Sequence, residues 1–333
     1  MLTADPNDIA MKMMSKLSAY FGRDGMEEVV VNTPGRIWTK MRRGDWEEHV
    51  DAALSYEYLL RVCKVLANIN SARFDETDVP VVSCEVPGLS FRFQGILGQN
   101  VRYELGDRRG VGIAIRSLIA DKSITFGSYG LGEGVVTEIA ATAFDSFTAD
   151  EAALAGICNA IARKESILVS GATSTGKTTF VNRLIERIPL AARIITIEDA
   201  RELSVPHANR LHLMAPRNRG SNALNYNMLL ESIVRLTPDW IVCGEISIGN
   251  AAGVYATMGK GHPIVSTIHA NSPREAIRAI VNNMSLSGTS GSNDAAMEEN
   301  IARNIGAIIQ IERVGSERRV VAVAYPSRGL GIS

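Results

Sequence analysis

The chain has 333 residues, 46% of them hydrophobic and 21% charged, with a formal net charge of −1; this is the make-up of an ordinary globular protein with room for about two domains. A charge so near zero excludes a chain that coats nucleic acid through a general basic excess, although a local basic groove stays open. The four cysteines, Cys63, Cys84, Cys158 and Cys243, form no C-x-x-C pair and match no zinc spacing, so reduced thiols are expected, in keeping with a reducing cytosol.

In chain order, the first eight residues lack the basic start and apolar run of a signal peptide. No uncharged apolar stretch approaches the roughly 18–20 residues of a membrane-spanning helix. The expectation is a chain neither exported nor spanning a membrane, with peripheral attachment left open. Residues 10–20 read as an amphipathic helix and 28–32 as a strand. Thr33-Pro34-Gly35 makes a turn, and 36–41 alternates as the return strand of a hairpin. A long helix is expected over 50–67, then short strands at 79–85, 89–94, 100–105 and 111–116. Together these predict a small α+β domain, residues 1–116, with an antiparallel sheet. Residues 117–147 lose periodicity around Gly127, Gly130, Gly132 and Gly134 and read as an interdomain linker.

Thr148 and Glu151 are spaced as a capping box that starts a helix. From there to residue 333 strands and helices alternate. Strands are expected at 166–170, 193–198, 211–215, 240–244 and 263–268, and helices at 177–187, 225–236, 248–258, 273–283 and 295–305. That rhythm predicts βαβ units and a largely parallel sheet. Residues 307–311 and 320–324 would extend it antiparallel, and the Ser/Gly-rich stretch 285–293 reads as a mobile surface loop.

Four segments carry chemistry. Gly171-Ala172-Thr173-Ser174-Thr175-Gly176-Lys177-Thr178 is a complete G-x-x-x-x-G-K-[ST] phosphate-binding loop, with Thr179 following it. Its glycines let successive N–H groups turn toward phosphate oxygens, Lys177 reaches the β- and γ-phosphates, and Thr178 offers a hydroxyl to Mg²⁺. An apolar strand precedes the loop and a helix follows it, as the motif requires. The second segment runs from Ile194 into Glu198, Asp199 and Glu202, and the third from Trp240 through Gly244 to Glu245. Both are expected at the carboxyl ends of strands beside the loop strand, where acids serve Mg²⁺ and the attacking water. Glu198 and Glu245 share metal binding and water activation, with the base left unassigned between them. In the fourth, His269 follows a strand and is placed to hydrogen-bond a γ-phosphate, although a lone histidine is more often structural. His49, His207 and His212 have no supporting context. The expected architecture is thus a RecA-like α/β P-loop NTPase domain preceded by a smaller α+β domain.

Taken together, these segments resemble the secretion traffic ATPases, and within them the ATPases of type IV secretion and conjugation systems (the VirB-operon type). Their Walker A loop, Asp box, Walker B ending Gly-Glu and His box correspond in order to residues 171–179, 197–202, 238–245 and 261–271. Val31-Asn32-Thr33-Pro34-Gly35-Arg36-Ile37-Trp38 is similar to the family's amino-terminal hairpin, and Arg102 and Arg116 to its two arginine-bearing strands. The resemblance implies an ATP- and Mg²⁺-dependent hydrolase in a homo-hexameric ring, with nucleotide between the two domains and Arg102 and Arg116 approaching the phosphates. It implies a cytoplasmic motor peripherally associated with the inner membrane, joined to secretion-channel components and powering substrate transfer and pilus assembly; no sequence-specific nucleic acid is expected. Ser247 and Thr237 stand where the family often has arginine. The alternatives are a type II secretion or pilus motor, whose assembly ATPases often carry a tetracysteine module absent here, a nucleic-acid motor, and a nucleotide-regulated scaffold.

Overall fold

The computed structural model describes residues 5–21, 23–42, 44–86, 89, 91–103, 109–117, 149–173, 175–199, 202–215, 226–289, 294–314 and 317–328. Its strands form a six-stranded and an eight-stranded sheet among the described residues. The predicted linker falls outside them except for Ser117, as do Thr148 of the capping box and residues 290–293 of the predicted surface loop.

The smaller sheet has the order β3-β2-β1-β7-β5-β4, with β4 spanning Val81–Glu85, and is antiparallel throughout. β1 (Met26–Thr33) and β2 (Arg36–Met41) form the predicted hairpin, turning at Gly35 with φ 78°. Helices α1 (Pro6–Met13), α2 (Ser15–Phe21) and α3 (Tyr56–Ile69) cover one face, burying Met14, Leu17, Phe21, Leu59 and Leu66 against Phe93 and Ile113. Two readings are corrected. The first helix starts earlier, because Asp5 caps it by accepting from the Asn7 N–H at 2.9 Å and Pro6 suits its first turn; it then breaks at Met14. The predicted helix at 50–67 begins only at Tyr56, capped by Ser55, and is preceded by edge strand β3 (Trp46–Val50). Glu47 and Glu48 face solvent on that edge, so no apolar alternation marks it in the sequence.

The larger sheet has the order β14-β13-β8-β12-β11-β9-β10-β6. Parallel pairing joins β8 (Ser166–Ser170), β12 (Ile264–Ile268), β11 (Trp240–Cys243), β9 (Ile194–Glu198) and β10 (Arg210–Met214). β13 (Ile305–Val314) runs parallel to β8, and β14 (Glu317–Ala324) returns antiparallel at the edge. Buried parallel strands read as continuous apolar runs, which is why 166–170 and 264–268 were legible. Helix α4 (Ala149–Ala162) and α5 (Lys177–Ile185) pack on one face; α6 (Tyr226–Arg235), α7 (Ala251–Met258), α8 (Pro273–Leu286) and α9 (Asp294–Arg303) pack on the other. α8 therefore extends into the stretch read as a loop.

Two features join the halves. β5 (Phe91–Gly98) and β7 (Gly110–Ser117) stay in the small sheet, but β6 (Val101–Arg102) between them crosses over and pairs antiparallel with β10. The strand expected at 100–105 thus belongs to the other sheet. Second, Arg193, fully buried at the start of β9, donates from Nη1 to Asn32 Oδ1 and Asn209 Oδ1, both at 2.6 Å, and from Nε to the Leu236 carbonyl at 3.0 Å. Burial lowers its pKa to about 10, opposed by the negative charges of Glu28 and Asp239. Because hydrogen bonds to a charged group contribute about 1.5–3 kcal/mol each, and truncation also opens a cavity, Arg193→Ala should cost about 3 kcal/mol or more of unfolding free energy. Urea titration checks this; a loss below about 1 kcal/mol would show that the guanidinium only fills space.

Candidate nucleotide site

β8 delivers the chain into the phosphate-binding loop at Gly171, where a Cβ would lie 2.4 Å from the Ile311 carbonyl oxygen. Gly176 adopts φ 86°, ψ 22° at the N-cap of α5, a left-handed conformation that favours glycine. Within the loop Thr175 Oγ1 donates to the Ala172 carbonyl at 2.9 Å, and the Gly171 N–H reaches back to the Ile268 carbonyl at 3.3 Å. Ser174 lies outside the described residues. Lys177 opens α5, and its ammonium donates to the carbonyls of Gly171 at 2.9 Å and Ala172 at 2.8 Å. Burial lowers its pKa while the charge of Glu245 works the other way.

The acids and the histidine meet this loop in an order the sequence did not predict. β12, ending before His269, is the immediate neighbour of β8; β11, before Glu245, comes next; β9, ending in Glu198, is third. All end at one level, with Ile268 opposite Ser170 and Cys243 opposite both Ser266 and Ile197. Parallel sheets bind ligands at this carboxyl edge. Here a cleft of about 610 Å³ is lined by Thr173, Gly176, Lys177, Thr178 and Thr179 from the loop, by Glu198, Asp199 and Glu202, by Gly244 and Glu245, and by Thr267 and His269.

Lys177, His269 and Glu245 form a chain. Lys177 Nζ lies 3.2 Å from His269 Nδ1, and His269 Nε2 lies 3.3 Å from Glu245 Oε1. An ammonium has only donors, so Nδ1 accepts and the imidazole proton sits on Nε2, facing the carboxylate. Glu198 is placed differently. It is 1% exposed; its Oε2 accepts the Glu202 and Leu203 N–H groups, both at 2.7 Å, and its Oε1 accepts from Thr196 Oγ1 at 3.3 Å. Both its oxygens therefore serve the chain itself, whereas Glu245 is 31% exposed at the side chain.

The two amino-terminal arginines do not line this cleft. Arg116 Nε pairs with Glu28 Oε1 at 3.5 Å inside the small sheet, and Arg102 lies opposite His212 at the edge of the large one. Two buried amides frame the site and were not singled out from the sequence. Asn250 Nδ2 donates to the Glu245 carbonyl at 2.8 Å while its Oδ1 accepts the Ser247 N–H at 2.8 Å, fixing the turn after Glu245. Gln310 Nε2 and Ser170 Oγ both donate to the Ala270 carbonyl, at 3.2 and 3.3 Å, anchoring the segment after His269. An isolated polar residue in the apolar run 307–311 was the available signal for Gln310; Asn250 stands just before a helix and reads as an ordinary cap.

Magnesium suits these residues. It keeps several waters and takes one or two protein oxygens beside the substrate phosphates, and the Thr178 hydroxyl and Glu245 carboxylate face the same cleft. Among the described residues no group of three or more His, Cys, Asp or Glu side chains forms an all-protein metal cage.

The profile of the family described as Type II/IV secretion system protein matches residues 136–314, more than half of the chain. Conjugal transfer protein TrbB of Rhizobium radiobacter is 30% identical over 302 residues, covering 90% of this chain and 83% of that protein. Type IV secretion system protein VirB11 of Bartonella henselae is 25% identical over 343 residues, covering 95% of this chain and 93% of that protein. The crystal structure of the VirB11 ATPase from the Brucella suis type IV secretion system, in complex with sulphate, superposes with a TM-score of 0.79 over 98% of each chain at 21% identity, a likeness of fold. With its phosphate-binding loop, its ordered acids and this span of similarity, the chain belongs to the Type II/IV secretion system protein family.

Proposed function

We propose that this chain is the ATPase motor of a type IV secretion or conjugation system, hydrolysing ATP to ADP and phosphate. Relatives that match nearly its whole length include VirB11, TrbB and PtlH proteins. The observation that carries the reading is the hydrogen-bonded chain from Lys177 through His269 to Glu245 across the mouth of the phosphate-binding loop. Backbone N–H groups of the loop and the α5 N-terminus hold the phosphates, and Lys177 lies against their charge. Thr178 and Glu245 would hold magnesium, which neutralises phosphate charge when bound. Glu245 accepts the proton of the attacking water, and His269 orients that carboxylate through its Nε2–H; to reach the γ-phosphate the same N–H turns away from Glu245. Catalysis is mainly positioning and charge stabilisation.

On this reading the motor is a homo-hexamer whose division into residues 1–116, a linker at 117–147 and an ATPase domain from 148 allows the amino-terminal half to move against the other. Arg116 then meets phosphate through that movement or from a neighbouring subunit, and Arg102, whose strand is paired into the larger sheet, from a neighbouring subunit. It works at the cytoplasmic side of the inner membrane, attached through channel components; no helix among the described residues is long and apolar enough to cross a membrane. The test is phosphate release by the purified full chain with Mg-ATP, alongside its mass in solution. Turnover by a six-fold assembly is expected. Absence of ATP binding would end the reading, and a persistent monomer at micromolar concentration with nucleotide would remove the ring.

A further inference from the structure

We propose that Thr196 and His212 are positioning residues for Glu198, forming a buried relay that ties this cleft carboxylate to the strand pair made with residues 100–102 of the amino-terminal half. The proposal rests on the assignment of the cleft as an ATPase site.

The relay is continuous. His212 Nδ1 lies 2.7 Å from Thr196 Oγ1, and Thr196 Oγ1 donates to Glu198 Oε1 at 3.3 Å. A threonine hydroxyl has one proton; spent on the carboxylate, it leaves the oxygen to accept, so His212 carries its proton on Nδ1 and donates it. Thr196 and His212 are both 0% exposed and paired across β9 and β10. Buried polar groups are costly unless bonded, and a valine–leucine pair would pack here without that cost. What the polar pair adds is a directed hydrogen bond on one oxygen of Glu198. The other oxygen takes the Glu202 and Leu203 N–H groups, so the relay and the 202–203 turn together fix the plane of the carboxylate.

The same relay reaches the amino-terminal half. His212 stands opposite Arg102 in the β10–β6 register, and Leu213 opposite Val101. Beside them the Met214 N–H donates to the Asn100 carbonyl at 2.7 Å, and Asn100 Nδ2 donates to the Met214 carbonyl at 2.7 Å. Segment 100–102 is therefore stitched to β10 around His212, and a shift of that segment moves the strand that carries the imidazole. Arg193, at the opposite end of β9, is gripped by Asn32 of the small sheet. Both ends of β9 are thus tied to the amino-terminal half, and its far tip is Glu198.

The test uses the full-length protein with Thr196→Val, which keeps shape and removes the hydroxyl, and Thr196→Ser, which restores it. Thr196→Val should lower kcat about 10-fold, within the range a small displacement of a carboxylate lining the reaction cleft produces, with KM changed by less than about 2-fold. Thr196→Ser should recover most of the rate. Independently of turnover, amide exchange at Glu202 and Leu203 should quicken in Thr196→Val and not in Thr196→Ser, and the imidazole ¹⁵N shifts of His212 should report a proton on Nδ1 in the parent protein. An unchanged kcat with unchanged exchange overturns the relay. So does a loss that follows thermal stability and that serine fails to restore. If the parent hydrolyses no ATP, the ATPase reading fails, while the exchange and ¹⁵N measurements still decide whether the relay holds Glu198.

Discussion

Lys177→Ala is expected to remove ATP turnover almost entirely, with kcat/KM reduced by at least about 1,000-fold, or about 4 kcal/mol of transition-state stabilisation. The residue is only 8% exposed, and the carbonyls of Gly171 and Ala172 hold its ammonium in the wall of the cleft. A cation so placed acts on developing phosphate charge at close range, and direct contact exchanges one of its three chain partners for a phosphate oxygen. Desolvation strengthens the effect, because the same burial that lowers the lysine pKa reduces screening of its charge. Alanine also takes away the donor on His269 Nδ1, freeing the imidazole to turn from Glu245. The fold should persist, since Gly171, Gly176 and Thr175 shape the loop without the lysine. Phosphate release at saturating Mg-ATP, with the melting transition as control, is the measurement; hydrolysis at the parent rate would remove the cleft as the reaction site.

Glu245→Gln should bind Mg-ATP within about 3-fold of the parent yet lose about 10²–10⁴ in kcat, the range for a missing general base. Glutamine keeps the shape and the braced turn, because Asn250 holds the backbone carbonyl of residue 245 and not its side chain. The amide oxygen can still face magnesium beside the Thr178 hydroxyl, whereas the charged, proton-accepting carboxylate is lost. Glu198→Gln supplies the contrast. Its Oε2 accepts two backbone N–H groups, and a side-chain amide there either keeps an oxygen on them and turns its NH2 toward Thr196, or sets donor against donor. The expected result is a stability loss of about 1–3 kcal/mol together with a smaller fall in rate. Equilibrium unfolding and nucleotide titration of both variants separate the cases. Near-normal turnover in Glu245→Gln beside a dead Glu198→Gln would transfer the base to Glu198.

Local chemistry made much of this protein legible in its sequence. The loop at 171–178 needs glycine where the backbone turns left-handed or meets a carbonyl at close range, and those demands lie within a few residues of one another. Ile167, Leu168 and Val169, or Ile264 and Val265, are wholly buried in parallel strands, so their apolar runs were unambiguous. β3 was missed because an edge strand exposing Glu47 and Glu48 carries no such pattern. The first helix was started late because the Asp5–Pro6 cap outweighs the periodicity after it. His212 had no sequence signal, since its partners Thr196 and Arg102 lie 16 and 110 residues away in the chain and are brought close only by strand pairing.

By itself, the sequence determined that a phosphate-binding loop opens a helix after a buried strand, that carboxylates at Glu198 and Glu245 and an imidazole at His269 end later strands, and that a hairpin-bearing α+β half comes first. Each of these depends on neighbours within one turn or one strand. Only the tertiary structure decided that His269 stands next to the loop strand with Glu245 and Glu198 beyond it, and that Glu198 is committed to the 202–203 backbone while Glu245 faces the cleft. It also decided that β6 leaves its own sheet to extend the other. Strand order and hydrogen-bond commitment are set by which distant segments bury each other's polar groups and apolar faces, and spacing along the chain does not encode that competition.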